Sequence, residues 1–449
     1  MLEKINRILV LVFGATTGAT LHEFKVNSGY RPIWKKDIPW QMAGKVYFWP
    51  MDWLKQVLAE VREMATPGTI IAPAMWGADV VHMWGDRIEG DVLHYRSVPE
   101  AFANQLMAET GIPKHEWSRL MGNVNAEFYQ MVFSGAFWRN YTQDQRRLEV
   151  VPLADWMTWW LSGYQGHDPV MLCNQGAGAP TSKLVNRYFN ENNLDEFAPV
   201  WRVFGANELL PLQNGAFVMP CTHDSPIARL ILASTGLAWG LWTGSWYGVF
   251  RAISKGDKIV ASEQTYKAGL VFEAMPGGGV SAISNIAMDG PRYKALKNVN
   301  GEISYRDAAD LALARIYRVA KNQTIFPDEM MKLEPGAFAT AAMAETKGSP
   351  NMALAIMANT IAMSSKKGLE AAASALGLSN PESIAIVGGF AENAAILKAL
   401  ELNGINPIVP PFAGMATQAG LAARALCLSG TVKTVEEALA MFPETVLAD

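Results

Sequence analysis

The run Val218-Met219-Pro220-Cys221-Thr222-His223-Asp224-Ser225-Pro226 decides how this chain reads, because a short apolar stretch stops there and a helix-start signal begins. Ser225 followed by Pro226 reads as an N-cap and a first helical residue, since proline's missing N–H costs nothing at that position. The arrangement predicts His223 and Asp224 at the C-terminal edge of a strand, beside a helix N-terminus able to hold an anion. A carboxylate next to a phosphate site can take the proton of an attacking hydroxyl, as phosphoryl transfer to an alcohol requires. The same residues also fit a plain strand-to-helix turn with a solvated aspartate, so the run needs company before it carries a function.

Working outward, strands and helices alternate on both sides of this turn, which predicts an α/β protein. Upstream lie the buried strand Ile8–Phe13, the small-residue turn Gly14-Ala15-Thr16-Thr17-Gly18-Ala19, a second strand over 69–72 leading into Met75-Trp76-Gly77-Ala78-Asp79, and a helix around 154–161. Downstream come strands around 242–250, helices over about 305–320 and 351–376, the strand Ile384–Val387, a Gly388-Gly389 turn opening a helix, strand 407–410 and a last helix over 418–428. Leu354, Met357, Ile361 and Gly368 share one helix face, a core stripe or a domain contact. No repeat of fixed short period is visible.

At 449 residues the chain exceeds what one core normally supports, so two domains are expected. Half the residues are apolar and 18% are charged, which excludes a disordered chain. A net charge of −4 gives no reason to expect nucleic acid. The three cysteines, Cys173, Cys221 and Cys427, fit a reducing cytoplasm better than a disulfide framework, and no His/Cys cluster has metal-ligand spacing. The apolar N-terminal run is short for a secretion signal and right for a strand. The uncharged stretch from Leu230 to Phe250 has glycines four apart, yet Trp239, Trp242 and Trp246 run through its interior rather than its ends. It reads as a helix, a turn near Gly236 and a strand with a glycine-containing turn, not as a membrane span.

Three glycine sites have both a plain and a functional reading. Gly14–Ala19 offers hydroxyls and bare N–H groups to a phosphate but lacks a Walker loop's lysine and spacing. Gly388-Gly389-Phe390-Ala391-Glu392-Asn393 lets the backbone approach a flat ligand, with Asn393 as donor and acceptor, or is simple helix entry. Thr243-Gly244-Ser245-Trp246 is a hydroxyl-bearing hairpin or a β-bulge at Gly244.

Together, and in this order along nearly the whole chain, these segments resemble the FGGY carbohydrate kinases, most of all the rhamnulokinase and L-fuculokinase branches. Met75–Asp79 resembles the family's Thr-Trp-Gly-Val-Asp, His223-Asp224-Ser225 its His-Asp-Thr, Thr243–Trp246 its Ser-Gly-Thr-Trp, the stretch from Glu273 to Ser284-Asn285-Ile286 a segment near the nucleotide, and Gly388-Gly389 with Asn393 its Gly-Gly-x-x-x-Asn. The resemblance implies two actin-like (ribonuclease H-like) α/β domains, 1–228 for the sugar and 229–449 for the nucleotide, closing over a catalytic cleft. It implies ATP-dependent phosphorylation of a ketose or related polyol, with Asp224 as general base and Gly77, Asp79, His223 and Ser225 toward the sugar. Ala15, Thr16, Thr17, Gly244, Ser245, Asn285, Gly388, Gly389 and Asn393 would hold ATP, with Mg²⁺ bridging its phosphates. Sugar and ATP are the implied partners, without nucleic acid or membrane, and a homodimer stays open. A six-carbon deoxyketose is the implied substrate, with Trp156, Trp159, Trp160 and the region 173–177 as further candidates for contact.

The chain departs from the family in three places. The acid that supports the hydrated magnesium is replaced by Val12, with no acid between Glu3 and Glu23. Met415-Ala416-Thr417-Gln418-Ala419-Gly420 lacks the acid of Glu-Ala-Thr-Ala-Leu-Gly, and the glutamine after the Gly-Gly turn is missing, with Lys398 in that region. Val12 therefore also admits a weakened relative that binds sugar or nucleotide as a sensor; a different ATP-using actin-like protein is the third reading.

Overall fold

Strand β1 (Arg7–Gly14) is apolar from Ile8 to Phe13 because both of its faces are covered there. Leu9, Leu11 and Phe13 enter one core with helices Met51–Glu63 and Leu153–Ser162, while Ile8, Val10 and Val12 enter another. β1 pairs antiparallel with β2 (Gly18–Lys25), β2 with β3 (Gly29–Lys36), and β1 runs parallel to β4 (Thr69–Met75). Three two-residue strands finish this sheet: β5 (Leu210–Pro211), β6 (Phe217–Val218) and β7 (Thr222–His223), the last two both parallel to β4. The computed structural model describes residues 5–14, 18–77, 79–109, 130–143, 146, 148–174, 201–205, 208–243, 247–253, 262–276, 279–287, 289–299 and 301–443.

The second sheet contains β8 (Trp239–Thr243), β9 (Tyr247–Ile253), β10 (Leu270–Ala274), β11 (Val280–Ala287), β12 (Ser383–Gly388) and β13 (Asn406–Ile408), in the spatial order β10-β11-β9-β8-β12-β13. Its plan repeats that of the first. In each, an initial strand (β1 or β8) is followed by an antiparallel neighbour on one side, and is joined on the other by a parallel strand that arrives later in the chain (β4 or β12). These are the expected two actin-like α/β units. The repeat lies in strand order and leaves no trace of short sequence period. Helix Pro350–Ala375 covers the second sheet, with Leu354, Met357 and Ile361 fully buried. At Gly368 a Cβ would come within 3.0 Å of Ile286 Cδ1, so this face of the helix is packed as the sequence stripe predicts.

Helix Ala416–Leu428 joins the two sheets. Its Ala419, Leu421, Ala422 and Ala425 share a core with Ile8, Val10, Val12, Ala72 and Ala74 of the first sheet and with Phe250, Ile283, Ala385 and Val387 of the second. Gly420 is required there, since a Cβ would stand 2.3 Å from the Ile227 carbonyl oxygen. The segment 230–250 resolves into a 3₁₀ turn, Arg229–Thr235, closed by left-handed Gly236, and then β8 and β9. Among the described residues no helix is long and apolar enough to cross a membrane.

One local expectation is corrected. The helix after β7 begins at Asp224, not after Ser225, and runs only to Ala228, with His223 in the N-cap position and no side-chain cap. Ser225 Oγ turns toward Asp224 Oδ1, 3.4 Å away, instead of capping the turn. Five residues align too few peptide dipoles for an anion site, and Asp224 already occupies the first turn.

Candidate active site

Parallel pairing of β4 and β7 in the register Thr222↔Ala74 and His223↔Met75 sets Trp76-Gly77 and Asp224 side by side at the C-terminal ends of neighbouring strands. Crevices beyond such strand ends are where α/β sheets place ligands. Gly77 lies against the His223 imidazole: a Cβ there would come within 3.1–3.3 Å of three ring atoms. His223 Nε2 is 3.5 Å from Asp224 Oδ1, and the Asp224 side chain keeps 23% of its surface accessible. Loss of water around Asp224 raises its pKa, and the nearby Glu273 adds to this, while His223 and the Ser225 hydrogen bonds act the other way.

The approach to Asp224 is pinned from behind. The Cys221 N–H donates to Thr158 Oγ1 at 2.8 Å, and Thr222 Oγ1 donates to Asp168 Oδ1 at 3.0 Å. Burial lifts the Asp168 carboxyl to about 6, opposed chiefly by Arg424 from the joining helix. Next to it, His167 Nε2 accepts from the Trp201 N–H at 3.2 Å, so the proton sits on Nδ1 and is donated to Asp155 Oδ2 at 2.7 Å. The Asp155, Thr158, His167, Asp168 and Thr222 members of this network are buried, and it fixes the strand that leads into Asp224.

Asp79 does not face open space. It is 1% exposed, Oδ2 accepts from Trp49 Nε1 at 2.5 Å and Trp76 Nε1 at 2.9 Å, and Oδ1 accepts from the Tyr95 N–H at 2.7 Å. Burial raises its carboxyl to about 7 against these three bonds. Its geometry is that of a bracket for Trp76 and for the Tyr95 turn. Trp40, Trp49 and Trp76 pack with His94 in one aromatic cluster, with Trp49 and Trp76 stacked at 5.3 Å. Half-buried Tyr95, beside that cluster, lies within the field of Asp224. Its part escaped sequence reasoning, because nothing local distinguishes it from a loop tyrosine. Trp156 is core, and Trp159 packs edge-on to Trp201 at 6.2 Å, so the tryptophans of that helix serve packing.

On the second sheet, β8 and β12 run parallel and end together at Thr243 and Gly388. Thr243 Oγ1 donates to the Val387 carbonyl at 3.1 Å and accepts from the Phe390 N–H at 3.0 Å, clasping the glycine turn. Gly388 has φ 91°, and a Cβ would fall 1.9 Å from the Thr243 carbonyl oxygen, so no other residue fits. Gly389, by contrast, has nothing within 4 Å of where its Cβ would stand. Asn393 is 1% exposed and caps helix Ala394–Leu402: Oδ1 accepts from the N–H groups of Ala395 and Ile396 at 3.1 Å, and Nδ2 donates to Tyr293 Oη at 2.7 Å. Both its amide oxygen and its amide nitrogen are thus engaged inside the protein. Next to the cap, a cleft of about 450 Å³ is lined by Arg306, Ala309, Asp310, Glu392 and Ala394. A depression of about 540 Å³ around Thr431, Lys433 and Met441 contains none of the site residues.

Ala15, Thr16, Thr17, Gly244, Ser245 and the region 175–177 lie outside the described residues, as does the side chain of Asn285. The flanking registers Gly14↔Gly18 and Thr243↔Tyr247 show that the two candidate phosphate loops connect equivalent strand pairs, β1 to β2 and β8 to β9. Val12 is 8% exposed in the apolar core that joins the sheets, and among the described residues no three His, Cys, Asp or Glu side chains converge on a metal position. Among the described residues the donor set does not fit a protein-held cation, so magnesium would enter on the nucleotide's own phosphates.

No protein-family model matches the sequence, and no curated protein is similar enough to it to count as a match. Solved structures do match along nearly the full length. Gluconate kinase from Lactobacillus acidophilus aligns with a TM-score of 0.70 at 12% identity, covering 97% of this chain and 92% of that one. Glycerol kinase from Plasmodium falciparum with ADP aligns at 0.69 and 10% identity, covering 99% and 94%. A carbohydrate kinase from Novosphingobium aromaticivorans aligns at 0.66 and 15% identity, covering 96% and 92%. The chain is similar to these proteins in fold.

Proposed function

We propose that this chain transfers the γ-phosphoryl group of ATP to a hydroxyl of a small sugar or polyol, with Asp224 as the general base. The observation that carries the reading is the position of Asp224: partly accessible and raised in pKa, beside Gly77 and His223 at the ends of β4 and β7. A carboxylate whose pKa is raised accepts a hydroxyl proton more readily than one with the ordinary value. As the sugar oxygen closes on the γ-phosphorus, its proton passes to Asp224 while the bond to the β,γ-bridging oxygen lengthens. His223, held flat by Gly77, and Tyr95 line the sugar side, with Ser225 beside the base; Asp79 keeps Trp76 and the Tyr95 turn in place. Ala15, Thr16, Thr17, Gly244 and Ser245 are assigned to the phosphates. Gly388, Gly389 and Asn285 are assigned to the nucleotide, with Asn393 acting through the helix it caps and the Arg306–Asp310–Glu392 cleft receiving the adenosine. A division into residues 1–228 and 229–449, closing on substrate, would exclude water from the transfer. The structural neighbours named for gluconate and glycerol support a polyhydroxylated acceptor. The motif resemblance narrows this to a rhamnulose- or fuculose-like deoxyketose.

Val12 favours a second reading, a relative that binds sugar and nucleotide without turnover. An ADP-release assay over a panel of ketoses and polyols separates the two. Sugar-dependent turnover that falls by roughly 10²–10⁴ in Asp224→Asn supports the kinase. An acid limb of kcat/KM above the ordinary carboxylate range is expected with it. Silence across the panel, with sugar or ATP still binding by calorimetry, supports the second reading.

A further inference from the structure

Trp76, the residue before Gly77, belongs to a cluster of three tryptophans that are not held alike. Trp49 and Trp76 stack on each other at 5.3 Å, and both give their indole N–H to Asp79. Trp40, just before the short hairpin of Gln41–Ala43 and Val46–Phe48, is half-buried, and among the described residues its Nε1–H meets no acceptor. Its ring stands at 66° to Trp49, 49° to Trp76 and 80° to His94, so among the described residues no ring lies parallel on either indole face. His94, 4.8 Å from the Trp40 ring and 5.4 Å from Trp76, carries a second unused donor. Its Nδ1 accepts from the Arg96 N–H at 3.1 Å, so the proton sits on Nε2, and that Nε2–H is buried without a partner. Burial, with Arg96 adding to it, lowers the imidazole to about 3, so the ring is a neutral donor at physiological pH. Asp79 accepts from the Tyr95 N–H at 2.7 Å and from Trp76 Nε1 at 2.9 Å, which ties the turn carrying His94 to the strand end at Gly77. Buried N–H groups normally find acceptors, and here two neighbouring ones have none.

We propose that Trp40 and His94 form an outer sugar subsite, which receives the end of the acceptor remote from the hydroxyl that reacts. The Trp40 ring takes a C–H face of the sugar, and the two N–H groups take one of its oxygens. The proposal deepens the kinase reading and rests on it for the identity of the acceptor. Sugars supply both features at once, an apolar face of C–H groups and a rim of oxygens that accept hydrogen bonds. Contacts run from Trp40 to Trp76, along the chain to Gly77, and from Gly77 to His223 beside Asp224. An acceptor must therefore be longer than three carbons to present a hydroxyl to Asp224 and still reach Trp40. The subsite selects by length, because a short polyol leaves both donors unpaired.

Calorimetry and steady-state kinetics on the full chain test this, with L-rhamnulose, L-fuculose and D-xylulose as long acceptors and glycerol and ATP as controls. Trp40→Phe keeps a ring and removes the N–H. His94→Asn keeps an acceptor for the Arg96 N–H, suits the start of that turn and removes the Nε2–H. Each should weaken binding of the long acceptor by roughly three- to tenfold and leave glycerol and ATP unchanged. Trp40→Leu, which also removes the aromatic face, should weaken it further. Where turnover exists, KM for the long acceptor should rise while kcat and KM for ATP stay nearly constant. A packing role alone would instead weaken every ligand alike. Equal weakening of the controls, or unchanged sugar binding in folded Trp40→Phe or His94→Asn, overturns the subsite. The binding measurement needs no turnover: selective weakening in a chain that phosphorylates nothing upholds the subsite and defeats the kinase reading. An active kinase indifferent to both substitutions does the reverse, and a parent chain that binds no sugar of the panel defeats both.

Discussion

At the scale of single residues, the site holds side chains that carry chemistry and others that hold them in place, and burial separates the two. Asp224 and Asp79 both have raised pKa values caused first by burial, but only Asp224 keeps surface for a ligand. Asp79 instead predicts a pH effect on stability. Its folded value of about 7 lies above its ordinary 3.8, so the unfolded chain ionises first as pH rises. The contribution is fully present below about 3.8, is lost progressively as pH rises to about 7, and is constant beyond. Asp79→Asn removes that titration and leaves an amide facing the Tyr95 N–H. In urea unfolding, its deficit relative to the parent should therefore be largest near pH 4 and shrink toward pH 7 by up to about 4 kcal/mol. A deficit that does not change with pH would show that Asp79 titrates like an exposed carboxyl.

At the scale of elements, the helix Ala416–Leu428 touches the turn that carries Asp224 through Gly420, which lies on the Ile227 carbonyl oxygen. Gly420→Ala forces one of the two to move, and overpacking of this kind costs roughly 1–3 kcal/mol. Because Ile227 belongs to the same turn as Asp224, we expect lower thermal stability together with a reduced kcat at unchanged sugar KM. A stability loss without a kcat change would show that the turn is held by Thr158 and Asp168 alone. This contact also marks where sequence reading stops. Strands Ile8–Phe13, 69–72 and 384–387 were legible because continuous apolar runs bounded by glycine have few other uses. The resemblance put Gly77 and His223 both toward the sugar, and their contact is what the structure adds. The helix start was misplaced by two residues, since Ser225 and Pro226 satisfy the capping rule while the backbone turns earlier. Asn393 looked like a ligand group because an exposed and a capping asparagine are identical in sequence. Trp40 and His94 meet only in the fold, because local pattern does not bridge segments so far apart in the chain.

At the scale of the whole molecule, two sheets of one plan meet across a core to which β1, β4, β9, β11, β12 and the helix Ala416–Leu428 all contribute. The order of synthesis makes this arrangement consequential. Ile8, Val10, Val12, Ala72 and Ala74 leave the ribosome early, but the helix that covers them is made nearly 350 residues after Ala72. Loop closure over that span is slow, and an uncovered apolar sheet face is prone to associate with other chains. A fragment of residues 1–228 should therefore be insoluble or bound to chaperones when expressed alone, and should recover when residues 229–449 are supplied in trans. A soluble, cooperatively melting fragment would mean that the first sheet closes its own core. For the growing chain, the half that carries Asp224 is finished early in sequence but completed last in structure, so any truncation that removes the final helices would leave no half-built site behind.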